Sequence, residues 1–105
     1  MTMPDAIQAI IQIINAPQQH LTQTIYNIRS FAPTAEEFRR KVVEFFPKAE
    51  IRYEINDKRQ KMVDGWPEDT DDSAARKEWN WQPIHTLDIG LNEYLIPDLK
   101  QIYQP

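Results

Sequence analysis

All three tryptophans of the chain lie within one window of sixteen residues, and this placement limits the possible folds more than any other feature. Trp66 stands between Gly65 and Pro67, a setting typical of a loop, where a rigid and amphipathic ring can close over a small ligand. Trp79 and Trp81 stand at helical and extended positions, where packing in a core is the usual role. The window therefore predicts one ligand-facing ring and two core rings.

Length and charge limit what the chain can do. Its 105 residues allow one domain with a small core. Apolar residues make up 41% and charged residues 27%, close to the globular average, so the chain should fold, at least with a partner. The net charge is -4, and the basic cluster at 39–41 lies among glutamates. Nucleic-acid binding is therefore disfavoured.

The cellular location is inferred from the lack of cysteine and from the lack of a predicted membrane span or signal sequence. The chain has no cysteine, which excludes disulfides and thiolate catalysis and favours a cytoplasmic location. The apolar run near the N-terminus is interrupted by Gln8, Gln12 and Asn15, so it predicts neither a membrane span nor a signal sequence. We therefore expect a protein without membrane contact.

Two helices are well signalled. In residues 1–16, four isoleucines recur at i, i+3, i+4 and i+7, which places them on one face of a helix that Pro4 and Asp5 begin. These isoleucines are Ile7, Ile10, Ile11 and Ile14. Thr34 and Glu37 form a capping box, which predicts a second helix that ends before Pro47. The isoleucine face requires an apolar partner, either a larger α/β body or a second copy of the chain.

The remaining segments predict strands, a loop and two capped helices. The composition of residues 24–28 and the alternation in residues 51–55 are typical of short strands. Residues 56–71 show no period and are interpreted as a long functional loop. Asp72 is expected to cap a short helix, and Thr86 a last one that ends at Pro97. The predicted fold is a small α+β unit in a single domain over 1–105.

No catalytic or metal-binding motif is complete in this sequence. His20 and His85 are far apart and lack the spacing of a metal site, so His85 is expected to solvate a helix start. The acidic run at 68–72 lacks the glycine and the closing glutamate of a calcium loop. Gly65 and Gly90 are the only glycines, too few for a dinucleotide or phosphate-binding loop.

The order of these parts resembles the C-terminal segment of the extended short-chain dehydrogenase/reductases, most closely the NAD-dependent L-threonine 3-dehydrogenases. The resemblance is carried by several segments: Met3 to Ile7, Tyr26-Asn27-Ile28, Phe31 to Thr34, Asp64-Gly65-Trp66-Pro67, Asp71 to Arg76, and Trp79-Asn80-Trp81-Gln82-Pro83. Arg29 and Ser30 replace the usual glycine-containing turn. Asn80 replaces a usual glycine, which asparagine can do because it tolerates left-handed geometry.

The resemblance implies a role for the chain. Trp66 and Asp64 would bind the substrate, L-threonine by resemblance, through the substrate loop 56–71. NAD would serve the complete enzyme but would not be bound by this chain, which lacks the family's Rossmann domain and its Tyr-x-x-x-Lys pair. The helix at 1–16 would pack on that missing domain. The chain alone would be inactive.

Two alternatives remain at the level of sequence. The chain could be the C-terminal part of a sugar-nucleotide epimerase or dehydratase, because the Asp-x-Ser-x-Ala helix and the x-Trp-x-Pro exit are shared more widely than the Trp-Pro loop. It could also be a non-catalytic binding or interaction protein that stands alone. Such a protein would bury the isoleucine face in a folded monomer or a homodimer.

Overall fold

The computed structural model describes residues 1–103, which divide into two compact units. The first unit contains Met1–Phe31 and the described chain from Thr70 onward, and the second contains Ala32–Asp69. Within these residues, the α-helices in chain order are α1 (Met3–Asn15), α2 (Ala35–Phe45), α3 (Asp57–Val63), α4 (Ser73–Trp79), α5 (Leu87–Ile89) and α6 (Ile96–Tyr103). A 3-10 turn (Gln18–His20) follows α1, and a π-helical turn (Gly90–Leu95) joins α5 to α6.

The predicted α+β class is not found in residues 1–103, which contain helices and no β-strand. The segments at 24–28 and 51–55, expected to be strands, lie outside every helix and pair with no other described segment. A strand exists only where its backbone groups pair with a second strand, and composition alone cannot supply that partner. Both segments have a composition typical of strands, but neither pairs with another segment. The prediction of strands is therefore wrong for both.

The core of the first unit is built around two tryptophans. Trp81 is fully buried and Trp79 is 7% exposed, and their ring centroids lie 5.9 Å apart. Ala9 of α1 and Ala75 of α4 complete the buried cluster. The indole Nε1–H of Trp81 donates to the carbonyl of Arg29 at 3.3 Å. The predicted core role of both rings is confirmed.

Helix α1 buries the side that carries Asp5 and Ala9 and exposes the face that carries four isoleucines. Ala9 and Asp5 are buried on one side of the helix. The isoleucine face (Ile7, Ile10, Ile11 and Ile14) is between 51% and 75% exposed. Ala9 and the partly buried Ile13 pack in and against the tryptophan core, while the four isoleucines of this face stay exposed. The predicted helix is confirmed, and its apolar face is open in the described chain.

The caps of α4 and α5 differ in how well the sequence predicts them. Asp72 precedes α4, but its side chain makes no cap bond and instead accepts from Arg76 at 2.8 Å. The neighbouring Asp71 takes the capping role and accepts from the Ser73 N–H at 2.9 Å. Thr86 accepts from the Ile89 N–H at 3.3 Å, so the predicted cap of α5 is confirmed.

The last helical run continues past Pro97, which was expected to end it. Pro97 is the second residue of α6, and the π-helical turn directly precedes that helix. Proline is tolerated in the first turn of a helix, because the N–H group that it lacks would have no partner within the helix there. The π-helical turn before α6 also has a different hydrogen-bond spacing from an α-helix. The proline is therefore accommodated, and the helical run extends to Tyr103.

The second unit contains α2 and α3. The capping box of α2 is present in both directions, since Thr34 accepts from the Glu37 N–H and Glu37 accepts from the Thr34 N–H. Helix α3 lies inside residues 56–71, which were interpreted as a loop without secondary structure, so that interpretation is wrong for Asp57–Val63. Asn56 caps it by accepting from the Arg59 N–H at 3.1 Å. Among the described residues, no helix is long and apolar enough to cross a membrane.

Candidate functional site

The proposed substrate residues lie in a tight turn directly after α3. Asp64 keeps helical backbone geometry as the C-cap, and its N–H donates to the Gln60 carbonyl at 2.8 Å. Trp66 donates its backbone N–H to the Val63 carbonyl at 2.9 Å. These bonds fix the backbone of the turn, while the Trp66 side chain is 65% exposed. The structure therefore presents the indole on the surface of the second unit.

The side chains of Asp64 and Trp66 are both exposed. The Asp64 carboxylate is exposed and accepts one hydrogen bond, from the side-chain amide of Gln60 at 2.5 Å. An exposed carboxylate can pair with an ammonium group, and an indole offers both a flat apolar face and an N–H donor.

A buried carboxylate at the start of α1 forms a polar centre that was not predicted from the sequence. Asp5 is fully buried, and its two oxygens accept from the Ile84 N–H at 2.8 Å, the His85 N–H at 3.1 Å and the Ser30 hydroxyl at 3.1 Å. Burial raises the pKa of Asp5, but these hydrogen bonds outweigh it and hold the pKa below its ordinary value. Asp5 therefore joins α1 to two distant segments of the first unit.

His85 belongs to the same centre. Its side chain is 14% exposed, and Nδ1 lies 2.7 Å from the Thr2 hydroxyl and 3.7 Å from an Asp5 oxygen. Its ring stacks on Tyr94 with centroids 6.2 Å apart. The expectation that His85 solvates a helix start is therefore wrong. The sequence contains one sign of this polar centre. Asp5 and Ala9 are four residues apart and therefore lie on the same side of α1, which is the buried side.

A second polar network surrounds Glu78, near the end of α4. Its carboxylate accepts from the Thr22 N–H at 2.9 Å, from the Thr22 hydroxyl and from the Tyr26 hydroxyl. The bonds from Thr22 and Tyr26 lower the pKa of Glu78, and burial together with the bond to Glu78 raises the pKa of Tyr26. Tyr26 also packs edge-on against Trp79 at 6.0 Å. Glu78 thus holds the extended segment after α1 against α4.

Neither network brings together the groups of a metal site. Among the described residues, no group of three or more His, Cys, Asp or Glu side chains could hold a metal ion. His20 and His85 belong to different parts of the first unit, since His20 lines a cleft at the end of α1 and His85 contacts Asp5. The polar centres of this unit bind backbone and hydroxyl groups of the chain itself.

Comparison with known proteins identifies relatives over most of the chain. No protein-family model matches. The mitochondrial L-threonine 3-dehydrogenase of Bos taurus is 34% identical over 89 residues, which are 85% of this chain and 23% of that protein. An uncharacterised epimerase/dehydratase of Staphylococcus haemolyticus is 31% identical over 102 residues, 96% of this chain and 32% of that protein.

A solved structure agrees with these relatives. The crystal structure of L-threonine dehydrogenase from Phytophthora infestans matches with a TM-score of 0.83 and 37% identity, over 96% of this chain and 33% of that one. The chain is homologous to the C-terminal segment of the L-threonine 3-dehydrogenases and their epimerase/dehydratase relatives. The resemblance drawn from the sequence is confirmed.

The similarity to L-threonine 3-dehydrogenases covers most of this chain but only part of each relative. The chain spans about a quarter to a third of the length of the relatives it matches. Residues 1–103, which contain helices and no β-strand, correspond to one small piece of these short-chain dehydrogenases.

Proposed function

We propose that this chain forms the substrate-binding portion of an L-threonine 3-dehydrogenase-like, NAD-dependent oxidoreductase. One observation carries the proposal: Trp66 is fixed by a backbone turn and yet 65% exposed, in a chain homologous to L-threonine 3-dehydrogenases. A core tryptophan would bury its ring, as Trp79 and Trp81 do. A large ring held on the surface is instead suited to cover a bound molecule.

Asp64 and Trp66 act in binding. The carboxylate of Asp64 pairs with the ammonium group of the amino acid, and the indole of Trp66 covers it and excludes water. Neither side chain transfers a hydride, and no Tyr-x-x-x-Lys pair occurs in the sequence. The chain is therefore proposed to bind and orient substrate and to be inactive alone.

NAD is proposed for the complete protein and is assigned to no residue of this chain. The two glycines, Gly65 and Gly90, cannot form a glycine-rich phosphate loop, and neither has a positive φ angle. When bound, NAD would accept the hydride from the substrate hydroxyl carbon. The isoleucine face of α1 is proposed to pack on the domain that holds NAD, with self-association as the alternative use of that face.

A chimeric enzyme tests the proposal. This chain would replace the matching segment of the Phytophthora infestans L-threonine dehydrogenase, and NAD reduction by L-threonine would be followed. We expect turnover in the chimera and none in the isolated chain. Trp66→Ala in the chimera should raise KM for L-threonine about tenfold or more, because a covering ring contributes binding energy. Tyr103→Ala, which removes another exposed ring, serves as the matched control.

Two results would overturn the proposal. The first is clear turnover of L-threonine by the pure, isolated chain. The second is a chimera that is folded by circular dichroism and binds NAD, yet keeps the same KM when the Trp66→Ala substitution is introduced. A chimera that fails to fold would be replaced by a fluorescence titration of the isolated chain with L-threonine, where the Trp66→Phe variant should lose the response and an unchanged response would refute the assignment.

The epimerase/dehydratase relatives support a second candidate. The Staphylococcus haemolyticus protein matches 96% of this chain and is named for epimerase or dehydratase chemistry. The complete protein would then act on a nucleotide sugar, and the chimera would fail with L-threonine. Measuring the native mass in source cells separates both enzymes from a binding protein that stands alone, since only the latter would have a mass of 12.4 kDa. A cytoplasmic location, favoured by the absence of cysteine, stays a prediction.

A further inference from the structure

The turn after α3 contains the only Asp-Gly pair of the sequence, Asp64-Gly65. In such a pair the glycine nitrogen can attack the carboxyl carbon of the aspartate side chain, because glycine has no Cβ to hinder the approach. The product is a five-membered cyclic imide. In a folded chain this reaction requires an accessible carboxyl group, a glycine N–H group without a hydrogen-bond acceptor, and a backbone that can rotate.

The first two requirements are met in this turn. Asp64 is exposed, as is every other residue from 57 to 66. The Gly65 N–H donates to no acceptor in the part of the chain that the structure describes. A Cβ added at Gly65 would meet no atom nearer than the Met62 carbonyl oxygen, at 3.6 Å. The space around Gly65 is therefore open.

The third requirement depends on how easily the end of α3 opens. Asp64 has φ -59 and ψ -20, a helical geometry that turns the Gly65 nitrogen away from the side-chain carboxyl carbon. The bond from the Trp66 N–H to the Val63 carbonyl spans the ψ torsion of Asp64 and must break before that torsion can rotate. Helix α3 has seven residues, none of them buried. The ends of so short and exposed a helix open at little cost in free energy.

Asp72-Ser73 is a useful contrast, because serine is also small and leaves the following nitrogen accessible in an unfolded chain. Here the fold prevents the same reaction. Asp72 is 4% exposed, and its carboxylate accepts from the Arg76 side chain at 2.8 Å. The Ser73 N–H donates to the Asp71 carboxylate at 2.9 Å. Of these two pairs, only Asp64-Gly65 therefore has both an accessible carboxyl group and a free N–H group.

We propose that Asp64 is a site of spontaneous aspartate isomerisation. The Gly65 nitrogen forms a bond to Cγ of Asp64, and the carboxyl hydroxyl group leaves as water with the proton of that nitrogen. Water then opens the imide. Cleavage between the nitrogen and Cγ restores aspartate, whereas cleavage between the nitrogen and the main-chain carbonyl carbon gives isoaspartate. Isoaspartate keeps the mass and the charge but adds a methylene group to the main chain. The reaction does not depend on the function proposed for Asp64 and Trp66.

Ageing of the full 105-residue chain at neutral pH in ¹⁸O-labelled water tests this site. Trypsin cleaves after Lys61 and Arg76, which places Asp64 and Asp72 in one peptide. Electron-transfer fragmentation of that peptide would locate isoaspartate, and methylation by an isoaspartyl methyltransferase would measure its amount. We expect isoaspartate with a labelled oxygen to accumulate at Asp64 and not at Asp72. Its rate of formation should lie within about tenfold of the rate in the free peptide 62–76, because an exposed helix end opens readily.

Two variants serve as controls. Gly65→Ala should slow the reaction about fivefold or more, because a Cβ hinders both the attack and the rotation. The alanine fits the turn, since Gly65 has no positive φ angle and the space beside it is open. Ser73→Gly creates a second Asp-Gly pair whose carboxylate is buried, so isoaspartate should still form at Asp64 alone.

Three results would overturn the proposal. The first is an Asp64 that stays unmodified in the folded chain while the free peptide reacts. The second is a Gly65→Ala variant that isomerises as fast as the parent chain. The third is a Ser73→Gly variant, folded by circular dichroism, that forms isoaspartate at Asp72 as fast as at Asp64, because exposure and free N–H groups would then not decide where the reaction occurs.

Discussion

At the scale of single residues, Asp5 shows how one buried charge can organise a small unit. Its carboxylate accepts hydrogen bonds from Ser30, Ile84 and His85, which are distant from it in sequence. Three donors compensate for the loss of water around a fully buried charge. The contacts therefore depend on the negative charge and on both oxygens acting as acceptors.

Replacing Asp5 by asparagine should destabilise the chain strongly. Asp5→Asn keeps the shape but turns an N–H₂ group toward backbone N–H donors, so at least one buried donor loses its acceptor. We expect the free energy of unfolding to fall by about 2–4 kcal/mol, measured by urea denaturation at neutral pH. Asp98→Asn, at an exposed position of α6, is the matched control and should change stability by less than about 0.5 kcal/mol.

The same pair of proteins gives a pH dependence. Because the folded chain holds the pKa of Asp5 below its ordinary value, the ionised carboxylate contributes stability that is fully present above about pH 4. That contribution is lost as the pH falls through the folded-state pKa. The stability gap between the parent chain and Asp5→Asn should therefore shrink in acid. A gap that stays constant down to about pH 2 would contradict a lowered pKa.

At the scale of elements, local signals were predicted well and pairing was not. The capping box of Thr34 and Glu37 involves residues three apart, so the sequence alone determines it. Helix α3 has no apolar period, which is why residues 56–71 were interpreted as a loop and its cap, Asn56, was not foreseen. The segments at 24–28 and 51–55 have the composition of strands, but a ladder requires a partner that no local pattern can provide.

The same distinction applies to the candidate sites. The position of Trp66 in a surface turn follows from Gly65 and Pro67 beside it, and the structure agrees with an exposed ring. The burial of Asp5 depends on contacts with residues about eighty positions away, which a single sequence does not reveal. The environment of a side chain could therefore be predicted where its neighbours in the sequence determine it, as for Trp66, and not where distant residues do, as for Asp5.

The end of α4 offers a test of backbone geometry. Asn80 has φ 57 and ψ 35, the left-handed conformation that asparagine and glycine adopt most readily. Asn80→Ala should cost about 1 kcal/mol of stability, whereas Asn80→Gly should be nearly neutral or slightly stabilising. Thermal unfolding of both variants would measure this. Equal losses for alanine and glycine would show that the asparagine side chain, and not the backbone angle, matters.

At the scale of the whole molecule, the exposed isoleucine face of α1 is not typical of a protein that folds and acts without a partner. Four isoleucines more than half exposed on one helix are unusual on a protein surface with no partner. The relatives extend well beyond this segment, since it covers 23% to 33% of their lengths. A face of this kind is suited to packing on further protein.

Without such a partner, the purified chain should self-associate through this face. We expect sedimentation velocity to show dimers or larger species at micromolar concentrations, and Ile10→Lys with Ile14→Lys to shift them toward monomer. Because both side chains are more than half exposed, the double variant should remain folded. The control is Ile102→Lys on α6, an exposed isoleucine elsewhere. A monomeric parent chain at every concentration would contradict the prediction.

The segment at 51–55, described above as having the composition of a strand, has a consequence for the lifetime of the chain in a cell. Proteases and chaperones bind their clients through extended backbone and apolar side chains, and Tyr53 and Ile55 are 56% and 82% exposed. A copy whose extended segments stay uncovered would be captured and degraded before a copy that has found its partner. Turnover would then remove unassembled chains selectively.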